Sequence, residues 1–315
     1  MGAALSPSRA ADFMQCPLLY RFRVVDRLPE PPSLAAARGT LVHAVLERVF
    51  DLPAERRSPE AAHALLPEEW EQMMAREPAL HALVTPGAGP DGRGSDEGSS
   101  EGSADSGGAE ALFAEAEALI DRWFTLEDPT CLEPAERELY VEAEVSGVTL
   151  RGYVDRLDVA RDGRLRIVDY KTGRSPSELF EGKALFQMRF YALVLWRARG
   201  VVPSMLQLVY LRDGQILRYE PTEHELRATE RKVQALWVAI ERAAHHGDWR
   251  PRTSRLCDWC HHQARCPAFG GTPPPLPDDA RARALDPRRS GVTSSEESAQ
   301  VRQAQPLEAV PAGGR

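Results

Sequence analysis

Apolar side chains recur along this chain with two different periods. From about Ser33 to Phe50, the residues Val42, Val45, Leu46, Val49 and Phe50 form a stripe at helical spacing. Ser6-Pro7 is a helix start signal, with Ser6 as cap and Pro7 at the first helical position. Further helix is predicted around 59–76 and 110–125, so residues 6–85 read as largely helical. Beyond about residue 137 the period drops to two. Leu139–Val145 alternates, turns at Ser146-Gly147 and resumes from Val148 to Val159. Leu165–Lys171 is a third strand, followed by a helix at about 179–199. Two more strands, Leu206–Leu211 and Gln215–Tyr219, are joined by Asp213-Gly214, and a long helix covers about 223–245. Helices, three strands, helix, two strands, helix: this order predicts an α/β fold, a mixed sheet wrapped by helices.

Two stretches break the pattern. Residues 86–109 are Gly, Ser and acid, with too few apolar side chains to offset the entropy of ordering, and are expected to be a disordered linker. Residues 271–315 are Pro-rich and then polar, and are expected to be a disordered tail. The remaining parts are an N-terminal helical part at 1–85, a core at 110–250 and a cysteine-rich segment at 251–270.

Hydrophobic residues make up 43% of the 315, enough for a sizeable core. No run of 18 apolar residues and no N-terminal apolar region suggest a membrane span or a secretory signal, so a cytoplasmic protein is expected. The net charge of −8 argues against a protein that coats nucleic acid non-specifically. Much of that charge is local: 86–110 holds six acids and one arginine.

Chemistry concentrates in Gly152-Tyr153-Val154-Asp155 and Val168-Asp169-Tyr170-Lys171-Thr172-Gly173. Asp169 and Lys171 are two apart on a strand and share a face. A two-residue loop at Asp162-Gly163 would set Asp155 opposite Tyr170. A three-residue loop, Arg161-Asp162-Gly163, instead pairs Leu157 with Ile167 and Val159 with Leu165, and brings Asp155 opposite Asp169. The matched apolar pairs favour the second register. Two adjacent carboxylates repel unless a cation lies between them, and all-oxygen ligands favour Mg²⁺ or Mn²⁺. The competing reading is an exposed hairpin bearing ordinary surface ions.

These residues resemble the core of the PD-(D/E)XK nucleases, with Asp155 as the first acid and Asp169-Tyr170-Lys171 as the second motif. Asp-Tyr-Lys-Thr-Gly is the form typical of the RecB-like branch. Arg38-Gly39-Thr40-Leu41-Val42-His43 resembles that branch's helix with a metal-binding histidine, and Gln187-x3-Tyr191 resembles the helix that follows its active site. The resemblance implies a restriction-endonuclease-like fold and a metal-dependent DNA nuclease, by family habit an exonuclease, acting in repair or recombination. It implies Asp155, Asp169 and Lys171 as catalytic, His43, Asp155 and Asp169 as metal ligands, and Gln187 and Tyr191 as DNA-contacting. The substrate would be single-stranded or free-ended DNA. Glu142, on the first strand of the hairpin, is a reserve acid. With no Walker-type loop, helicase activity would need a partner.

Cys257, Cys260 and Cys266 form a compact thiol group, and Cys16 can supply a fourth ligand, while Cys131 stands apart as a plain small residue. The arrangement resembles the iron–sulfur nucleases of the RecB-like group, which implies a [4Fe–4S] cluster stapling segments roughly 240 residues apart. Structural Zn²⁺ on four cysteines, or on three with His261 or His262, is the alternative. Two other functional classes stay open: a non-catalytic DNA clamp, and a zinc-stabilised interaction module.

Overall fold

The computed structural model describes residues 4–84, 107–176 and 181–285. A two-residue strand, β1 (Ala4–Leu5), leads into α1 (Pro7–Gln15) and α2 (Pro17–Tyr20), which runs on as a wide π-helical turn at Arg21–Val25. Ser6 caps α1 by accepting the Arg9 N–H, with Pro7 in the first turn, as its sequence predicts. Then come α3 (Leu34–Val49), α4 (Pro59–His63), α5 (Leu66–Arg76), α6 (His81–Val84) and α7 (Gly107–Leu126). The helix expected over 59–76 is divided in two, because Pro67 lacks the N–H and the space that a continuous helix needs.

The hairpin strands are β2 (Glu136–Val145), β3 (Val148–Val159) and β4 (Leu165–Lys171). They are followed by α8 (Glu181–Arg199), β5 (Met205–Tyr210), β6 (Gln215–Tyr219), α9 (Glu223–His246) and, after three 3₁₀ turns, α10 (Ala280–Leu285). The sheet is mixed: β1 with β3 and β4 with β5 are parallel, and β2–β3, β3–β4 and β5–β6 are antiparallel. α8 is the crossover that two parallel neighbours require.

The turn arithmetic holds. Leu157 pairs with Ile167 and Val159 with Leu165, and the Ala160 N–H donates to the Arg164 carbonyl. Gly163 takes φ +82°, the left-handed position that closes a three-residue loop.

Each sheet face buries its own apolar cluster. One gathers Leu150, Val154, Leu157 and Ile167 against α1, α8 and α9. The other gathers Val168, Tyr170 and Val209 against α3, α5 and α7. The second depends on a buried ion network. Arg156, 1% exposed, makes two bonds to Glu127 at 2.7 and 2.9 Å and one to the Tyr170 hydroxyl. Trp123 Nε1 and Gln207 Nε2 also donate to Glu127. The carboxylate just past α7 thus ties that helix to β3, β4 and β5. Burial pushes the Glu127 pKa up, but Arg156 outweighs it and the net shift is downward.

Two expectations about unstructured segments need correction. Residues 107–109, assigned to the linker, form the first turn of α7. Residues 271–285, assigned to the tail, pack on the N-terminal helices: the Ala284 carbonyl accepts the Tyr20 hydroxyl, and the Pro274 carbonyl accepts the Arg21 guanidinium. Both carbonyls serve buried polar groups that local composition does not reveal. The rest of the linker, and 286–315, lie outside the described residues.

Candidate active site and cysteine cavity

β3 is bordered on one edge by β2 along most of its length. Its other edge carries β1 at Thr149–Leu150 and β4 at Arg156–Val159. Residues 151–155 fall in the gap between them. The main-chain ladder to β4 stops at Arg156–Val168, and the Asp155 side chain takes over, with Oδ2 accepting the Tyr170 N–H at 2.7 Å.

The strand also changes side here. Val154 and Leu157 are three apart, yet both enter the same core cluster, which strict alternation forbids. Opposite the irregularity is Glu138, a non-glycine residue at φ +43°. The pairs Arg137–Arg156 and Leu139–Val154 on either side set Glu138 across from Asp155.

α3 supplies the histidine. A Cβ on Gly39 would stand 3.3 Å from Thr172 Oγ1, so the glycine lets α3 approach the end of β4 closely. One turn later His43 Nδ1 lies 3.5 Å from Asp155 Oδ2. Donor atoms of His43, Glu138 and Asp155 all fall within 4.8 Å of one another, the one such group of three or more among the described residues. They border a cleft of about 220 Å³ also lined by Glu47, Arg137 and Tyr170. Burial, with Asp169 adding to it, pushes the Asp155 pKa up to about 6 against the pull of His43, Lys171 and the Tyr170 N–H. A cation is the partner this site calls for.

Asp169 is 3% exposed, and its Oδ2 has Lys171 Nζ at 2.6 Å without hydrogen-bond alignment. Burial works against the Lys171 ammonium, but Asp169 and Asp155 outweigh it and raise its pKa. Nζ also donates to Gln187 Oε1 at 3.1 Å, and Gln187 Nε2 donates to the Tyr191 hydroxyl at 3.2 Å. A chain of polar contacts therefore runs from Asp169 through Lys171 to α8. Gly152 makes room for it: a Cβ there would meet Tyr191 Cε1 at 2.6 Å.

The sequence reading brings these residues together with one difference. It names Asp169 as the third metal ligand, whereas the tight donor group contains Glu138 and Asp169 pairs with Lys171. Glu142, the reserve acid, lies across from Arg151 and bonds the Tyr140 hydroxyl. Glu138 was legible: the two-residue turn at Ser146-Gly147 pairs Val145 with Val148, and counting back puts 138 opposite 155.

The cysteines meet at a second place. Cys16, Cys257, Cys260 and Cys266 line one cavity of about 460 Å³, including its open mouth. Burial pushes the Cys260 thiol up, with the neighbouring thiols of Cys257, Cys16 and Cys266 adding to it. The N–H groups of Arg252 and Ser254 point at Cys16 Sγ and Cys257 Sγ, each at 3.3 Å. His262 is turned away, buried against Phe22 with Nε2 2.9 Å from Glu30. Cys131 is exposed and bonds Asp128.

The family model of the PD-(D/E)XK nuclease superfamily matches residues 4–267, which include all the residues of both sites. The chain belongs to the PD-(D/E)XK nuclease superfamily. Among curated relatives, the Gene 69 protein of Mycobacterium phage D29 is 31% identical over 136 residues, covering 42% of this chain and 48% of its own. The Gene 69 protein of Mycobacterium phage L5 is 26% identical over 153 residues, covering 47% and 50%. The match thus spans about half the length of each phage protein. The crystal structure of a "Putative exonuclease" from Eubacterium rectale superposes with a TM-score of 0.50 at 14% identity, over 82% of this chain and 88% of that one. That likeness is one of fold. PD-(D/E)XK nucleases typically use divalent metals, and the His43–Glu138–Asp155 group fits that chemistry. No helix among the described residues is long and apolar enough to cross a membrane.

Proposed function

We propose that this superfamily member is a metal-dependent DNA nuclease of the RecB-like type that hydrolyses phosphodiester bonds at Asp155, Asp169 and Lys171. The observation that carries the reading is the Asp155–Asp169–Lys171 arrangement at the point where β3 and β4 part. His43, Asp155 and Asp169, with Glu138 beside them, would hold a Mg²⁺ or Mn²⁺ ion. Such an ion supplies Lewis acidity toward a phosphate oxygen and acidifies water. Asp169 keeps the Lys171 ammonium at the site, where it orients the attacking water and offsets charge developing on the phosphate. Gln187 sets the lysine from the other side, and Gln187 and Tyr191, joined through the Tyr191 hydroxyl, would contact the approaching strand. Free-ended or single-stranded DNA, a role in repair or recombination, and a helicase partner complete the proposal.

The four thiols suit an iron–sulfur cluster, with two backbone N–H groups directed at sulfur. Zinc would draw four sulfurs to about 2.3 Å from one centre, hence about 3.8 Å from one another. His262 is committed to Glu30, so zinc on these thiols would lack it, and the cluster is the reading that the family resemblance favours. Its role would be architectural, holding Cys16 behind α1 against the C-terminal segment. Hydrolysis of a labelled DNA strand with Mg²⁺ or Mn²⁺ tests the main reading; full activity in excess EDTA would overturn it.

A further inference from the structure

The segment that closes the cysteine cavity carries apolar side chains on the outside. Trp259, between Cys257 and Cys260, is 76% exposed, and Leu256 and Phe269 at the cavity rim are 41% and 49% exposed. An indole so placed adds nothing to the core. The same segment of chain carries Arg250, Arg252, Arg255 and Arg265, against Asp248 and Asp258. Arg250 is paired with Asp248, and Arg252 donates to the Met14 carbonyl. Arg255 and Arg265 are exposed, and no carboxylate among the described residues pairs with either.

We propose that this cap is a docking site for single-stranded nucleic acid, with Trp259 as a stacking platform and Arg255 and Arg265 as phosphate contacts. Exposed aromatic faces interleaved with guanidinium groups match a strand whose bases are unstacked and whose backbone is anionic. A duplex hides its base faces and offers the indole nothing to stack on. Position supports the same occupant. α1 is nine residues long, about 14 Å, and Cys16 follows its last residue. Its first residue, Pro7, lies beside Gly152 and Tyr191. α1 thus links the cap, at its C-terminal end, to Tyr191 of the Gln187–Tyr191 pair, at its N-terminal end. Arg252 fastens the cap to the C-terminal end of α1, through its N–H to Cys16 Sγ and its guanidinium to the Met14 carbonyl. The proposal rests on the nuclease reading and adds a place outside the active site where its single strand is held, yet binding is measurable without cleavage.

The test is fluorescence anisotropy of a labelled oligo-dT with the full chain, purified anaerobically and held in EDTA to block cleavage. Trp259→Ala should weaken binding about tenfold or more, and Trp259→Phe should restore most of it. Arg255→Ala with Arg265→Ala should flatten the dependence of log affinity on log salt by about 1.4. Because these side chains are exposed, iron content and Tm should match wild type. Wild-type affinity in Trp259→Ala would overturn the proposal and assign the patch to a protein partner. Trp259→Phe as weak as Trp259→Ala would rule out stacking. Equal, Trp259-dependent binding of a blunt duplex would rule out single-strand recognition. A wild type that binds but does not cleave would leave this site standing and remove the nuclease reading.

Discussion

Asp155 Oδ2 accepts the Tyr170 N–H at 2.7 Å, at the point where the ladder between their strands has just ended. A side chain thus replaces a main-chain acceptor. The strands part, yet the Tyr170 amide stays satisfied. The opening holds the carboxylates of Asp155 and Asp169, while the Tyr170 side chain anchors on the opposite face to Arg156. This contact links the fold to the chemistry.

Asp155 and Lys171 should separate when mutated. Asp155→Ala removes a metal donor, so Mn²⁺ binding by calorimetry and cleavage should fall together. Lys171→Ala should keep Mn²⁺ binding and slow cleavage by about 10²–10⁴. Equal loss of metal binding in both would place Lys171 in metal retention instead.

The raised pKa of Asp155 has a pH signature. Its folded value, about 6, stands above the ordinary 3.8, so the folded state holds this proton more tightly than the unfolded chain does. In metal-free protein Asp155 should therefore lower stability as pH rises from about 4 to about 6. The Tm difference between wild type and Asp155→Asn, measured in EDTA across that window, should shift in favour of the variant with rising pH. A difference that moves the other way would show that the carboxylate is favourably paired without metal.

Glu127 should matter to stability beyond its own size. Glu127→Ala leaves the Arg156 guanidinium buried and without its principal partner, a loss of about 3–5 kcal/mol. A drop in Tm on the order of 10 °C follows for a chain of this size. A variant within a degree or two of wild type would mean that Asp158 and Tyr170 suffice.

Much of this was legible. The helix caps, the strand order after residue 136 and the three-residue turn at Arg161–Gly163 follow from local chemistry, because each depends on neighbours in sequence. β1 was not, since two residues carry no period. The Glu127–Arg156 pair was not, because partners 29 residues apart leave no mark on local pattern. The order in 271–285 was hidden by Pro-rich composition, and depends on Tyr20 and Arg21 far upstream. Glu138 lay in between: its strand register was countable, but the φ of +43° that marks the kink was not.

The cysteine cavity predicts a colour. Anaerobically purified protein should absorb broadly near ~400 nm and carry about four irons per chain. Cys16→Ser should lose iron and lower the Tm, because Cys16 directly follows α1. A colourless protein with one zinc would replace the cluster by a structural ion, and a Cys16→Ser variant unchanged in colour and Tm would remove the staple.

The most direct measurement is digestion of end-labelled linear single strands beside circular ones, with Mg²⁺ or Mn²⁺, by wild type and Asp169→Ala. Wild type should degrade the linear strands in a metal-dependent way and spare the circles, and Asp169→Ala should be inert while folded. No metal-dependent cleavage of either substrate by wild type, or undiminished cleavage by Asp169→Ala, would contradict an active site at the parting of β3 and β4.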